Sequence, residues 1–302
     1  MDISVIVCSH NPNPRCLDRV LGALVRQTLA LPHWELLLID NASESSLEKS
    51  WDLSWHPQAR HIREEELGLT NARMRGISEA RAELLVFVDD DNVLAEDYLE
   101  RTLEISREWQ ILGTWGGQIV PEFEQTPEEW TKRYWNWIAI REVEGDRWSN
   151  LPEDLGDKPY GAGICVRKNV AEAYVRRVRA NPLQQLLGRR GEQLLAGDDT
   201  DLCLAACSLG LGNGVFTKLK LTHLIPSQRL HEGYLLRLVE AMTHSNVLLN
   251  YLMGKPLTIP SRSQRLLRWY ESLHLPMRER RFVAAKKRGA KSAQRAIAAL
   301  HR

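Results

Sequence analysis

The stretch Leu84–Asn92, LLVFVDDDN, places five apolar residues directly before three adjacent aspartates, Asp89, Asp90 and Asp91. A continuous apolar run of this length is typical of a strand that is buried on both faces of a parallel sheet. Ligands of open α/β sheets bind at the carboxyl ends of such strands, where these aspartates stand. Three neighbouring carboxylates repel one another unless a positive group is near. A divalent cation is the simplest partner, and a solvated acidic turn that caps the next helix is the alternative.

The bulk composition sets broad limits on the protein class. With 302 residues, the chain can form one large domain or two smaller ones. A formal net charge of +1 gives no argument for nucleic acid as a partner. The five cysteines are an odd number in a chain too large to need disulfides, which predicts reduced thiols and a cytoplasmic protein. Cys203 and Cys207 have the spacing of a zinc pair, but core thiols are favoured because a matching second pair is missing.

Membrane insertion and secretion are not indicated by the sequence. The segment Met1–Val7 lacks the basic region and long apolar run of a secretory signal. No run of about 18 apolar residues appears that could form a transmembrane helix. These features predict an intracellular protein.

The N-terminal half alternates strand and helix patterns, which predicts right-handed βαβ units and a parallel sheet. Apolar strand runs at Ile3–Val7, Glu35–Ile39 and Leu84–Val88 alternate with helical patterns that begin near Leu17 and Thr70. Because parallel strands end at one edge, the polar residues that follow them should converge there as a nucleotide site does. Neither G-x-G-x-x-G after the first strand nor G-x-x-x-x-G-K-[ST] is present, which disfavours dinucleotide oxidoreductases and P-loop NTPases.

Four motifs in order, SVIVCSHN, LLLIDNAS, GLTNARMRGI and VFVDDDN, resemble family 2 of the glycosyltransferases. The resemblance covers roughly the first 120 residues, and the ordered set is far more specific than any single motif. It implies an inverting, nucleotide-sugar-dependent enzyme of the GT-A type. The implied fold class is α/β, with a Rossmann-like, mostly parallel sheet flanked by helices and, in this chain, a helical C-terminal extension.

The resemblance also implies roles for individual residues. The implied nucleotide-binding set is Ser9, Asn11, Asp40, Arg73, Asp89 and Asp90. Within it, Asp40 would hydrogen-bond the base edge and Arg73 would reach the base or the diphosphate. A helix cap for Asp40 and a solvated surface position for Arg73 are the alternatives.

A divalent cation is implied by the DxD motif. The implied ligands of Mn²⁺ or Mg²⁺ are Asp91, Asp89 and His223. A diphosphate cannot approach carboxylates without a bridging cation, which is why the chemistry calls for one. A structural histidine is equally compatible with the position of His223 near a strand end, and Arg229 is a weaker candidate for a diphosphate contact.

A second acid cluster lies in Gly197–Leu202, GDDTDL, which should open a helix. Helix capping is the alternative role, although a cap needs only one acid. The resembling family carries the catalytic base in an acid pair, usually Glu-Asp, and this chain departs from it in the first member. The predicted base is Asp199, with Asp198 as the fallback. A carboxylate there can take the proton of an acceptor hydroxyl during direct, inverting displacement.

The middle of the chain is rich in tryptophan. Six of the ten tryptophans lie between Glu108 and Trp148, and most of them are predicted to be core residues. One or two, Trp115 among them, are predicted to contact a sugar. In the turn Tyr160–Gly163, Gly161 and Gly163 allow close approach to the backbone. The resembling family carries a Gly-rich turn near the donor sugar and the acceptor, which implies that position for this turn.

The chain is predicted to comprise a nucleotide-sugar half at 1–120, an acceptor and catalytic half of the same globular unit at 121–230, and a helical extension at 231–302. From Met277 to Arg302 there are nine Lys or Arg and one Glu, a net charge of +8. This basic tail either rests on an anionic membrane surface or is a solvated terminus. Nucleic acid is disfavoured as a partner because the aromatic interleaving of RNA-binding modules is missing.

The combined prediction is a cytoplasmic, metal-dependent, inverting glycosyltransferase, either free or peripheral on the inner face of the cytoplasmic membrane. UDP- or dTDP-sugars are the favoured donors, since Asp40 suits the ring N–H of uracil or thymine, with guanine as an open alternative. A saccharide or lipid-linked glycan is the acceptor. A nucleotidyltransferase is the first alternative, but SHNPNPR does not supply its phosphate loop. A non-catalytic sugar-binding protein is the second, and two intact acid clusters argue against it.

Overall fold

The computed structural model describes residues 1–153, 158–191, 193–257 and 261–299. Over these residues the chain forms one mixed sheet flanked by helices. The strands are β1 (Ile3–Ser9), β2 (Trp34–Asn41), β3 (Ala59–Glu64), β4 (Leu84–Asp89), β5 (Asn92–Leu94), β6 (Leu112–Phe123), β7 (Arg147–Ser149), β8 (Cys165–Arg167) and β9 (Gly212–Ile225). The helices are α1 (Pro14–Val25), α2 (Leu69–Glu79), α3 (Tyr98–Glu108), α4 (Lys168–Ala180), α5 (Pro182–Gln185), α6 (Asp198–Ser208), α7 (Glu232–Leu252), α8 (Arg262–Leu273) and α9 (Met277–Ala299).

The sheet confirms the predicted α/β fold class. Its strand order is β3-β2-β1-β4-β8-β6-β9-β5, with β7 beside β9. The four strands from β3 to β4 are mutually parallel, and β6 runs parallel to β9. The shorter β5, β7 and β8 run against their neighbours, so most of the described strands share one direction. The predicted division at residue 120 falls inside β6, and the sheet is continuous across it.

The apolar run of β4 is explained by burial on both faces. Val86 and Val88 pack with α1 and α3 on one side, whereas Leu85 and Phe87 pack with α2, α4 and α6 on the other. Successive side chains of a strand point to opposite faces, so a strand covered on both sides must be apolar throughout. This packing fixes the position at which the chain turns polar, at Asp89.

Two local expectations are refined by the structure. Thr70 does not cap α2, because the helix begins at Leu69 and Gly68 occupies the cap position. Cys203 and Cys207 do not form a zinc site: Cys203 is buried, and burial raises the pKa of its thiol to about 12. The core-thiol interpretation is therefore confirmed for Cys203, and all five cysteines are free.

The C-terminal extension is helical, as predicted. Helix α9 packs along α7 and buries a row of small and apolar residues that includes Phe282 and Ala285. Gly289 permits the closest approach, since a Cβ there would lie 2.1 Å from the carbonyl oxygen of Glu240. The last three residues of the basic tail lie outside the described part of the chain. Among the described helices, none combines the length and the apolar character needed to cross a bilayer.

Candidate active site

The polar ends of the parallel strands meet at one edge of the sheet, as the sequence predicts. Ser9 at the end of β1 lies beside Asp40 on β2, and Cys8 lies beside Asp89 on β4. The Ser9 hydroxyl donates a hydrogen bond of 2.6 Å to Asp90. The carboxyl ends of β1, β2 and β4 therefore form one polar surface, which is the position expected for a ligand of this fold.

Arg73 connects the two acid clusters. Its Nη1 lies 2.5 Å from Oδ2 of Asp198, and its Nη2 lies 3.7 Å from Oδ1 of Asp89. The guanidinium is almost fully buried, and burial works against its charge, but Asp198 and Asp89 raise the pKa of Arg73 above its usual range. Two aspartates more than a hundred positions apart therefore share one cation.

A glycine on α2 allows Arg73 to reach this position. Gly76 faces β1, where a Cβ would lie 2.4 Å from the Cγ2 of Ile6. Without a side chain at this point, the helix can lie directly against the strand. Arg73, one turn earlier on α2, is thereby held at the carboxyl edge of the sheet.

The second acid cluster opens α6 and contains the predicted base. Asp199 Oδ2 accepts hydrogen bonds from Lys158 Nζ at 3.4 Å and from the backbone N–H of Gly161 at 3.2 Å. Burial disfavours its charge, but Lys158 and Arg73 together lower the pKa of Asp199 below its usual range. Asp199 is thus a carboxylate at neutral pH.

Asp198 differs from Asp199 in its access to solvent. Its side chain is 7% exposed, against 19% for Asp199. Burial raises the pKa of Asp198 although Arg73 opposes the shift. Asp198 is enclosed beside Arg73, and Asp199 is the more exposed member of the pair.

Asp90 and Asp91 are held in contrasting environments. Burial, followed by repulsion from Asp91, raises the pKa of Asp90 to about 7. Asp91 is also buried, yet Arg229 at 2.9 Å and His223 at 3.4 Å keep the pKa of Asp91 below its usual range. The strand ends thus carry one carboxyl that is readily protonated and one that is firmly ionised.

Asp91 Oδ2 and His223 Nε2 lie 3.4 Å apart, and the same nitrogen is 3.1 Å from Nη1 of Arg229. A carboxylate oxygen and an imidazole nitrogen converge there, and Mg²⁺-type sites in nucleotide enzymes often use one or two protein ligands with substrate phosphates and water. The predicted set of three ligands is not assembled, because Asp89 faces Arg73 instead. Among the described residues, no group of three or more His, Cys, Asp or Glu side chains could hold a metal ion. In this structure Arg229 supplies the positive charge beside Asp91.

The remaining predicted nucleotide-binding residues line the same edge. Asp40 accepts hydrogen bonds from the backbone of Ser43 and Leu47 and from Arg63. The Ser43 side chain is a fourth partner, so the buried carboxylate has its four acceptor positions taken within the protein. Asn11 is exposed, with a φ of 46°, and its side chain accepts a hydrogen bond from the backbone of Glu44.

Two predicted sugar contacts are corrected by the structure. Trp115 is fully buried in the main core beside Arg167, because β6 lies in the middle of the sheet. Gly163 also faces the core, and its carbonyl accepts a hydrogen bond from the Tyr98 hydroxyl. Neither residue is available to a sugar. Gly161 lies beside Arg73, where a Cβ would come within 2.9 Å of Nη2, and its contact with a sugar stays a prediction.

Lys158 is the site residue that sequence analysis missed. It precedes the Tyr160–Gly163 turn, and the acid beside it in the sequence is Asp157, so nothing local points to Asp199. Its proximity to the turn is the one signal that could have drawn attention to it. Arg229, which was a weak candidate from sequence, proves to be a direct partner of Asp91.

Comparisons with known proteins concern the family and the fold of the chain. The sequence model of Glycosyl transferase family 2 matches residues 4–167, more than half of the chain. Validoxylamine A glucosyltransferase of Streptomyces hygroscopicus subsp. jinggangensis (strain 5008) is 30% identical over 104 residues, a match that covers 33% of this chain and 24% of that protein. This chain therefore corresponds to about a quarter of that relative's length.

The fold is similar to that of solved S. aureus TarS. The crystal structure of TarS 1-349 aligns with a TM-score of 0.52 at 15% identity, covering 97% of this chain and 83% of that one. TarS 1-349 in complex with UDP gives a TM-score of 0.50 at 15% identity over the same shares. At this level of identity the similarity concerns the fold.

Proposed function

From the premise that the chain belongs to glycosyl transferase family 2 and is a glycosyltransferase, we propose that it inverts the anomeric centre of a nucleotide-diphosphate sugar. The observation that supports this most is the contact of Arg73 with both Asp89 and Asp198. Through this contact, the acids at the end of β4 and those at the start of α6 belong to one site. Family membership sets aside the nucleotidyltransferase and non-catalytic alternatives.

Asp199 is the proposed catalytic base. An acceptor hydroxyl must lose its proton as it attacks the anomeric carbon, and a carboxylate within hydrogen-bond reach can accept it. Asp199 is ionised, partly accessible and oriented by Lys158 and the Gly161 N–H. Attack by the acceptor oxygen breaks the bond to the donor phosphate in the same step, so no covalent enzyme intermediate is needed.

Positive groups would stabilise the negative charge of the departing nucleoside diphosphate. Arg229 lies at the Asp91 end of the site and Arg73 lies between the clusters, and both remain charged at all relevant pH values. Asp91 and His223 are the proposed holders of Mn²⁺ or Mg²⁺, which when bound would supply further positive charge to the diphosphate. Preorganised charge of this kind stabilises the charge that develops in the transition state.

A uridine or thymidine donor is the favoured class. Ser9 and Asp40 stand side by side at the carboxyl edge of the sheet, where a base would bind. TarS 1-349, which shares the fold, has been solved in complex with UDP and with UDP-GlcNAc. Both considerations support a UDP-sugar as the first donor to test.

The proposed acceptor is a saccharide or a lipid-linked glycan, with the enzyme peripheral on the inner face of the cytoplasmic membrane. The five free cysteines suit a reducing compartment and support a cytoplasmic location. The basic C-terminal segment supports contact with anionic lipid.

Isothermal titration with UDP, in the presence and absence of Mn²⁺, tests the donor site. We expect wild-type protein to bind UDP more tightly with Mn²⁺ and Asp91→Asn to lose this dependence, because it removes the anionic ligand. Asp97→Asn, a partly exposed aspartate paired with Arg101 on α3, is the matched control and should behave as wild type. If the affinity of the wild-type protein for UDP is the same with and without Mn²⁺, the donor site does not depend on a metal.

A further inference from the structure

The start of helix α8 is held by side chains of its own sequence. Ser261 Oγ accepts a hydrogen bond of 3.2 Å from the backbone N–H of Gln264, and Gln264 Oε1 accepts one of 2.9 Å from the backbone N–H of Ser261. This reciprocal pair is a capping box, which satisfies two backbone donors at the helix start. The helix therefore begins at a fixed residue, which fixes the face on which each later side chain lies.

One face of α8 carries an exposed apolar stripe. Leu266, Tyr270 and Leu273 follow helical spacing and are 66%, 58% and 41% exposed. Leu267 and Met277 extend the surface, with exposures of 58% and 73%. Of the thirteen large hydrophobic residues that are exposed in the described part of the chain, these five lie within twelve positions. Contiguous apolar surface of this kind marks a contact site, whereas scattered exposed leucines do not.

The segment that carries the stripe is basic in sequence. Residues 261–281 include six arginines and two glutamates. A net positive segment opposes self-association, since a second copy would bring like charges together. The same combination favours an anionic lipid surface, which takes up apolar side chains and attracts Arg.

Helix α9, although more basic, is engaged within the fold. Arg278 and Arg281 pair with Glu232 of α7, and Arg288 pairs with Glu240. The apolar side of α9 is buried against α7 around Phe282. Its remaining charges can add attraction to a membrane, but it has no apolar face left to insert.

We propose that α8, with Met277, is an interfacial helix that lies in the surface of an anionic bilayer, with Leu266, Leu267, Tyr270 and Leu273 inserted among the lipids. The inference deepens the membrane part of the proposed function by naming the element and the residues that make contact. It does not depend on which sugar is transferred.

Flotation of the full chain with vesicles tests the inference. We expect binding to vesicles of mixed phosphatidylglycerol and phosphatidylcholine, and little binding to phosphatidylcholine alone. The double variant Leu266→Ser/Tyr270→Ser should reduce the bound fraction by about tenfold or more, because two inserted side chains are lost. Val25→Ser and Leu209→Ser, at apolar sites that are 53% and 44% exposed elsewhere, should bind as wild type.

The outcomes distinguish a lipid surface from a second copy of the chain as the partner of the apolar stripe. Absence of vesicle binding, or binding that is unchanged in the double variant, overturns the proposal. A concentration-dependent dimer that the double variant abolishes, without vesicle binding, would instead identify a second copy as the occupant. Far-ultraviolet circular dichroism and UDP titration of every variant show whether the fold and the donor site persist. Failure of UDP binding in wild-type protein that still floats with lipid would reject the donor proposal alone.

Discussion

The two acid clusters differ in how nearby cations offset the repulsion between neighbouring carboxylates. At the end of β4, Asp89 faces Arg73, Asp91 faces Arg229 and His223, and Asp90 has a pKa near 7. At the start of α6, three aspartates each have a cation within hydrogen-bond or ion-pair distance. These pairs are Asp198 with Arg73, Asp199 with Lys158, and Asp201 with Arg177.

This difference indicates which carboxylates are accessible to a substrate or to a bound cation. In the second cluster, Asp201 is enclosed by Arg177 and Gln184 and belongs to the interior, so Asp199 remains as the accessible carboxylate. In the first cluster, the carboxylates exceed their local cations, which is the imbalance that a bound cation would correct. Arg73 pairs with an aspartate of each cluster, so a change at Arg73 should affect both clusters.

The largest expected effect comes from the second cluster. Asp199→Asn should lower the rate of sugar transfer by about 10²–10⁴-fold, the usual contribution of general base catalysis, because an amide cannot accept the proton. UDP affinity should stay close to wild type. Transfer to an acceptor is measured as released UDP, and affinity by titration.

Asp198→Asn is the comparison within the same cluster. It should mainly affect UDP binding and stability, because Asp198 is a buried partner of Arg73. A near-native transfer rate for Asp199→Asn together with a collapsed rate for Asp198→Asn would reverse the assigned roles.

Breaking the link between the clusters should have the next largest effect. Arg73→Met leaves Asp198 and Asp89 without their shared cation, and we expect a loss of about 3–5 kcal/mol in the free energy of unfolding. Arg75→Met, two positions along α2, removes an exposed arginine that pairs with Glu79. That variant should change stability by no more than about 0.5 kcal/mol. Denaturant unfolding of both variants measures the contrast, and equal losses would show that Arg73 is not a buried bridge.

Adding a single methyl group at Gly161 should displace Arg73 from its position between Asp89 and Asp198. In Gly161→Ala the new Cβ would lie 2.9 Å from Arg73 Nη2, which must move. We expect a fall of roughly tenfold to a hundredfold in transfer rate, since small displacements in an active site are costly, with most of the stability retained. Gly145→Ala, whose Cβ meets no atom within 4 Å, is the matched control and should transfer sugar normally. Normal activity of both variants would mean that the position of Arg73 tolerates displacement.

The smallest expected effect is a shift in the pH profile. Lys158 and Arg73 lower the pKa of Asp199, so the base is ionised above that pKa and is lost as the pH falls through it. Lys158→Met removes one of these cations, and the acid limb of kcat/KM should move to higher pH. Lys218→Met, which removes a lysine paired with Glu104 and Glu108, should leave the limb in place. An acid limb that stays fixed in Lys158→Met would argue that Asp199 does not set it.

Much of the site could be predicted from local sequence. The succession of strands along the chain, their polar ends and the acid pair of α6 can each be predicted from a short segment considered alone. The errors concern burial. Trp115 and Gly163 looked like contacts with a sugar. The sheet places β6, with Trp115, between β8 and β9, where both faces are covered, and Gly163 packs against Tyr98 and Leu221. Lys158 was missed because its partner lies 41 positions away.

The sequence by itself determined where each strand turns polar, because a doubly covered strand must be apolar along its whole length and the change to aspartate marks its end. Only the tertiary structure decided which charges meet. The crossing of α2 over β1 at Gly76 brings Arg73 between Asp89 and Asp198, and the return of β9 brings His223 and Arg229 to Asp91. Ion pairs depend on distances of a few ångströms between distant segments, and packing sets those distances where residue order does not.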